Sequence, residues 1–373
     1  MNAASYPGEL LPPGVRSRFI ENVNGLRMHI LEAGHETDDR PVVLLLHGFP
    51  ELAWSWRKVM PALAAAGFHV VAPDQRGCGR TTGWDASYGG DLASFRPFNL
   101  VLDLLELVSA LGGRKVRAVV GHDFGSPIAA HCALIRPDVF TSLVMMSAPF
   151  AGPPPAGVTP TPQPDIHAAL AGLTPARKHY QRYYSTPQAG GDMLHAPQGL
   201  HDFLRAYYHV KSADWPGNQP HPLRAWSAEE LAQLPAYYVM PAEAGMADAV
   251  APYLPSAAEI AACLWLTEPE LDVYCAEFAR TGFQGGLQWY RCATSGLAEA
   301  DLRLFAGRTI SVPAAFIAGA ADWGTYQSPG VFEQLDRVCS DFRGRHLVTG
   351  AGHWVQQEQA PAVTGLLLGF LAD

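Results

Sequence analysis

Gly121-His122-Asp123-Phe124-Gly125 sets a carboxylate between two glycines, directly after the apolar run KVRAVV and directly before the helix-like SPIAAHCALIRPD. Flanking glycines permit a sharp strand-to-helix turn that lifts the central side chain out of a sheet. A carboxylate presented in this way can attack an sp³ carbon and form an alkyl ester, which a second step must hydrolyse. The plainer alternative is that Asp123 caps the following helix, and the pentapeptide alone does not choose between the two. Its companions do. Asp322 in GAADWG and His353 in GAGHW each follow an apolar strand-like run, VPAAFIAG and GRHLVTG. Both therefore lie on loops at the carboxyl ends of strands, where α/β sheets build their sites. A histidine oriented by an acid can take a proton from water, which is the chemistry of the second step. The order Asp123, Asp322, His353 is nucleophile, acid, histidine. His47-Gly48-Phe49-Pro50 ends a further apolar run, and the backbone N–H groups of Phe49 and Phe124 would face one developing oxyanion. With 14 histidines in the chain, His353 alone is unremarkable; the conjunction of four loops in the right order carries the weight.

The elements that must position these residues are readable in outline. SRFIENV and LRMHILEA are joined by Asn24-Gly25, a pair that tolerates the positive φ of a tight hairpin. PVVLLLHG is a continuous apolar run, as expected of a strand covered on both faces. Helical WSWRKVMPALAAAG, strand FHVVAPD, helical FNLVLDLLELVSALGG, strand KVRAVVG, helical SPIAAHCALIRPD and strand TSLVMMSAP then alternate, which argues for a doubly wound α/β sheet. Residues 149–164 hold seven prolines and read as a stiff extended connection. Beyond them helical, Tyr- and Trp-rich stretches run to about Gly296. Strand VPAAFIAG, helical GVFEQLDRVCS, strand GRHLVTG and a last helix PAVTGLLLGFLA then resume the alternation. The division is a core in two parts, 1–149 and 297–373, with a helical cap at 150–296 inserted between them.

Composition narrows the function classes. The 373 residues are 48% hydrophobic and 16% charged, enough for one large core. A net charge of -9 opposes nucleic acid and anionic lipid as partners. The six cysteines are scattered with no CxxC pair, which fits reduced thiols better than disulfides or structural zinc. No HExxH-like spacing calls for a metal, and no cofactor is expected. No apolar stretch approaches the ~20 residues of a membrane span, and the first residues lack the pattern of a secretory leader. These features predict a cytoplasmic protein, monomeric or homodimeric.

HGFP, DQRGCGRT (Asp74–Thr81), GHDFGS and the late GHW together resemble the epoxide hydrolases of the α/β-hydrolase superfamily, over roughly Gly25 to Phe370. The resemblance implies a mostly parallel eight-stranded doubly wound sheet with an inserted cap. RTGFQGGLQWYR (280–291) is similar to the cap motif that bears a catalytic tyrosine in that family, which implies that Tyr290 donates to the epoxide oxygen. A second tyrosine comes from an earlier cap helix; Lys178-His179-Tyr180-Gln181 matches its position best, with Tyr183 and Tyr184 as alternatives. A phenol stays protonated at neutral pH and can serve a departing alkoxide. The resemblance implies conversion of a lipophilic epoxide and water to a vicinal diol. His47, Pro50, Trp289, Trp323 and Trp354, with Phe49 and Phe124, are the expected lining of an apolar pocket. Two rivals stand beside this reading: a dehalogenase with the same triad, and a non-catalytic receptor on the same scaffold. Phe124 weighs against the first, because family dehalogenases often carry at this position a Trp whose N–H grips halide.

Overall fold

Asn24 and Gly25, at φ of 47° and 78°, turn the chain between β1 (Val15–Val23) and β2 (Leu26–Ala33). The hairpin begins the main sheet of a computed structural model that describes residues 4–37, 39–157 and 165–372. β3 (Val42–Leu46), β4 (His69–Pro73), β5 (Val116–His122) and β6 (Leu143–Met146) follow. A separate pair, β7 (Arg177–His179) and β8 (Val239–Pro241), precedes β9 (Ala314–Gly319) and β10 (Phe342–Val348). The eight-stranded sheet has the order β1-β2-β4-β3-β5-β6-β9-β10. Its β1–β2 and β2–β4 pairings are antiparallel and the rest parallel. This is the α/β-hydrolase fold, with the mostly parallel sheet that the apolar runs led one to expect.

Alternate residues of each strand face opposite sides, so β3 sends Val43 and Leu45 into one buried layer and Leu44 and Leu46 into the other. β3 lies between β4 and β5, so the chain leaves it first to one side and later to the other. The carboxyl ends of β3 and β5 flank that switch point, where ligands of open α/β sheets bind. His47–Pro50 and Asp123 are the next residues out. Helix α1 (Pro97–Ala110) and helix α2 (Gly125–Ile135) pack against each other, and α2 covers β5 and β6.

Between β6 and β9 the chain is mainly helical and includes α3 (Tyr180–Tyr184), α4 (Leu200–Lys211) and α5 (Gln284–Thr294). The antiparallel β7–β8 ribbon in this region departs from the purely helical expectation. Three-residue strands are too short to leave a periodicity. Two expected helices are also broken. WSWRKVMPALAAAG forms a turn at Ala53–Trp56 and a short helix at Met60–Ala65, because Pro61 favours a first helical turn rather than a helix interior. GVFEQLDRVCS divides into Phe332–Gln334 and Leu335–Val338. Of the proline-rich connection, residues 149–157 have no regular structure, and 158–164 lie outside the described residues. The last helix, α6 (Ala360–Ala372), closes the core. No helix among the described residues is long and apolar enough to cross a membrane, and the six cysteines are free.

Candidate active site

Asp123 has a φ of 50°, a left-handed conformation that costs a residue bearing a Cβ on the order of 1 kcal/mol. Close packing enforces the bend. A Cβ on Gly121 would run into the carbonyl of Gly125, and one on Gly48 into the Asp123 side chain itself. The turn leaves Asp123 buried, and the Phe49 N–H donates to Asp123 Oδ1 over 2.9 Å. The second expected donor, the Phe124 N–H, makes no such bond among the described residues. Phe124 instead places its ring 5.0 Å from that of Trp289 and 5.3 Å from that of Tyr290.

His353 and Asp322 meet as expected, with Nδ1 and Oδ1 3.1 Å apart. His353 Nε2 lies 3.4 Å from Asp123 Oδ2, close but not aligned as a hydrogen bond, and it has no other partner among the described residues. Asp322 Oδ1 also accepts the Gly324 N–H at 2.7 Å. The loop bearing His353 is fixed from outside the sheet. His353 N–H donates to the Lys211 carbonyl at 2.8 Å. Half-buried Glu358 accepts the N–H groups of Gly352 and Ala213, both at 2.8 Å, and of Trp354 at 2.9 Å.

Electrostatics set the protonation states. Burial alone would raise the Asp123 carboxyl, but the adjacent imidazole of His353, then the charges of Lys211 and His122, hold it well below the usual carboxylate range. Asp322 is likewise kept ionised against burial by His353. Burial and the Lys211 ammonium push His353 down, yet the Asp322 charge, the nearby Asp123 carboxylate and the hydrogen bond to Asp322 outweigh them and lift it above its ordinary value.

Three groups around Asp123 and His353 were not foreseen. Glu51, buried, reaches His122 Nδ1 at 2.5 Å and accepts from Gln356 at 2.9 Å. His122 Nε2 meets the His353 carbonyl at 2.7 Å. The Ser147 hydroxyl lies 3.1 Å from the same nitrogen. Lys211 is buried with its ammonium over the rings of Tyr238 and Tyr207, 5.0 and 5.2 Å from their centroids. Such faces stabilise a cation. A lysine ending an amphipathic helix is expected at the surface pairing with the dipole, so nothing local marked it.

A cavity of about 250 Å³ opens on Asp123. Tyr180 and Tyr290 both border it, their rings 5.9 Å apart. Tyr180 OH donates to Gln327 and accepts from Gln181, each at 3.2 Å. The alternatives turn elsewhere: Tyr183 OH bonds Asp192 and Tyr184 OH bonds Tyr207, each at 3.1 Å. Burial and then the Asp123 charge raise both cavity tyrosines well above the ordinary phenol value, so they are protonated.

The pocket lining predicted from sequence needs correction. Phe124 borders the cavity, whereas His47, Phe49, Pro50, Trp289, Trp323 and Trp354 do not. His47 is wholly buried and accepts the Gln75 N–H at 3.1 Å. The Pro50 carbonyl accepts from Tyr208 at 2.6 Å. The Trp289 and Trp354 indoles each donate at 2.9 Å to backbone carbonyls, of Arg76 and Tyr208. Trp323 packs on His221, 4.9 Å between rings. Each serves as core or brace because a chain neighbour of a site residue points another way.

Residues 41–360 match the family described as the alpha/beta hydrolase fold. The chain is similar to Epoxide hydrolase A of Mycobacterium tuberculosis, 36% identical over 96% of this chain and 98% of that one. Among solved structures it resembles an epoxide hydrolase from an endophytic Streptomyces, with a TM-score of 0.78 and 31% identity over 97% of this chain and 96% of that one. It also resembles Epoxide Hydrolase A from Mycobacterium thermoresistibile, at 0.75 and 33% over 96% and 98%. With that likeness running over nearly the whole chain, the chain belongs to the epoxide hydrolases of the α/β-hydrolase family.

Proposed function

We propose that this protein converts a lipophilic epoxide to a vicinal diol through an ester on Asp123. The observation that carries the reading is a buried, ionised carboxylate on a cavity wall, with one oxygen held by the Phe49 amide and the other 3.4 Å from an imidazole. Oδ1 remains the carbonyl oxygen of the ester, and the freer Oδ2 attacks an epoxide carbon. Tyr180 and Tyr290 hold the ring oxygen and supply the proton that the alkoxide takes as the C–O bond breaks. Their acidity is matched to the step: the Asp123 charge that suppresses it disappears as the ester forms. His353, oriented by Asp322, then removes a proton from water that attacks Cγ of Asp123. The Phe49 amide, joined by that of Phe124, stabilises the tetrahedral oxyanion. Residues 150–296 act as the cap that brings the tyrosines over the nucleophile and excludes water from it.

Single turnover with excess enzyme in ¹⁸O-labelled water tests the covalent route. The first diol is expected to carry unlabelled oxygen from Asp123, with the label retained in the carboxylate. A first diol fully labelled from solvent would mean direct attack by water and overturn the reading.

The tyrosines give a second expected result. Tyr290→Phe and Tyr180→Phe each lower kcat on an aryl epoxide by ~10²-fold, and the double change by more, since proton donation to a leaving alkoxide is worth about that much. A dehalogenase using the same triad would be indifferent. Rates of both variants within a few-fold of the parent would remove the phenols from the mechanism.

A further inference from the structure

Lys211 is the last residue of α4, and the mechanism above gives it no task. Its carbonyl is among those that a helix end leaves without an intrahelical partner, and it takes the His353 N–H at 2.8 Å. The backbone of this residue is thus tied to the base. Its side chain is 3% exposed, and among the described residues its nitrogen has neither a hydrogen bond nor an ion-pair partner. Four rings surround it instead: Tyr238, Tyr207, Trp354 and Tyr237, with centroids 5.0, 5.2, 5.3 and 5.8 Å from the nitrogen. Ring faces and the helix end offset part of the cost of burying a cation. An uncharged side chain of the same length would fill the space without that cost. The charge therefore needs another reason.

That reason lies on the other side of Trp354. Its ring is 5.3 Å from the ammonium and 4.6 Å from the His353 ring, so at most about 10 Å separates cation and base, a range over which a charge still acts inside a protein. Resting on the epoxide-hydrolase reading of this site, we propose that Lys211 is a positioning residue for the second half-reaction: its buried charge opposes a second positive charge on His353 and so keeps the imidazole free to take a proton from water once the ester has formed. The other groups around the base pull the opposite way or are occupied. Asp322 Oδ1 at 3.1 Å and Asp123 Oδ2 at 3.4 Å both favour a protonated ring. The His122 ring packs 5.1 Å away with Glu51 behind it, and the Glu358 carboxylate is spent on the amides either side of the base. Alkylation neutralises Asp123. Lys211 then works against one contacting carboxylate in place of two, and burial of the ring acts in the same direction as the cation.

Lys211→Met removes the charge, nearly keeps the shape and leaves the carbonyl to His353. The test follows single turnovers of an aryl epoxide by rapid quench across a range of pH, reading ester formation and ester breakdown separately. The acid limb of breakdown is expected to move up by about one pH unit, as for unit charges ~10 Å apart at an effective dielectric of ~20. Below that limb the variant then hydrolyses its ester ~10-fold more slowly than the parent. Ester formation should hold its rate or rise, since the cation also stabilises Asp123 before it attacks. An unmoved limb in the folded variant overturns the assignment. Equal slowing of both steps at every pH, the mark of a merely structural role, overturns it too. Lys211→Leu replaces Lys211→Met if the latter does not fold, and failure of both to fold would make the charge a structural one and end the proposal. A parent protein that forms no ester would instead fell the epoxide-hydrolase reading, and the assignment with it.

Discussion

Asp123→Ala is expected to abolish epoxide turnover, lowering kcat by at least ~10⁴-fold. The size of the loss follows from what is removed. A residue that forms the covalent bond cannot be replaced by better binding, and such losses are among the largest that single substitutions produce. The rest of the site would persist. His353 stays held by Asp322 and by the Lys211 carbonyl, and the bend is fixed by the packing around Gly121. The Phe49 N–H loses its acceptor, for a stability cost of about 1–3 kcal/mol. Initial rates on an aryl epoxide, with thermal melting as the fold control, make the check. A folded Asp123→Ala protein turning over at the parent rate would place the nucleophile elsewhere and dissolve the roles given to its neighbours.

His353→Gln is expected to stop the reaction halfway. The first step needs only the carboxylate and the phenols, so one equivalent of epoxide is opened. The ester then persists, because no base activates water. Intact-protein mass spectrometry should show a shift equal to the substrate mass, localised to the peptide containing Asp123, while steady-state turnover falls by ~10³-fold or more. Continued turnover with unmodified protein would assign the base elsewhere. The pH profile of the parent bears on the same residue. Protonated His353 cannot accept a proton from water, so activity is lost as pH falls through its pKa. That pKa is lifted above the ordinary imidazole value in the free protein, but the first step does not use the base, so the acid limb that reports His353 belongs to kcat. Esterification removes the Asp123 charge, so the base becomes easier to neutralise in the intermediate, and that limb should lie below the free protein's lifted value.

Much of this was legible in the chain because the signals were local. Continuous apolar runs ending in Gly or Asp located the parallel strands and the loops beyond them. The glycines of 121–125 announced the bend, and Asn24-Gly25 the hairpin. What stayed hidden depended on long-range burial. Glu51 reads as a surface acid beside Pro50 until His122 and Gln356, 71 and 305 residues away, close over it. Lys211 looks like an ordinary helix residue until Tyr238, from a distant stretch of chain, meets its ammonium. The misplaced tryptophans have a geometric cause. Adjacent residues on a helix differ by about 100° in direction, so Tyr290 turns to the cavity while Trp289, its neighbour on α5, turns to Arg76. On a helix, then, adjacency to a site residue does not by itself place a side chain in the site.

One carboxylate, Glu358, gathers amides from Ala213, just beyond the end of α4, and from Gly352 and Trp354 on either side of His353. The segment after α4 and the loop bearing His353 are thereby riveted together. A chimera that imports a relative's insert wholesale would inherit new chemistry above the nucleophile but a mismatched seam beneath it. Transplants meant to change substrate range should carry the 350–358 stretch along with the graft, or leave Lys211–Ala213 in place.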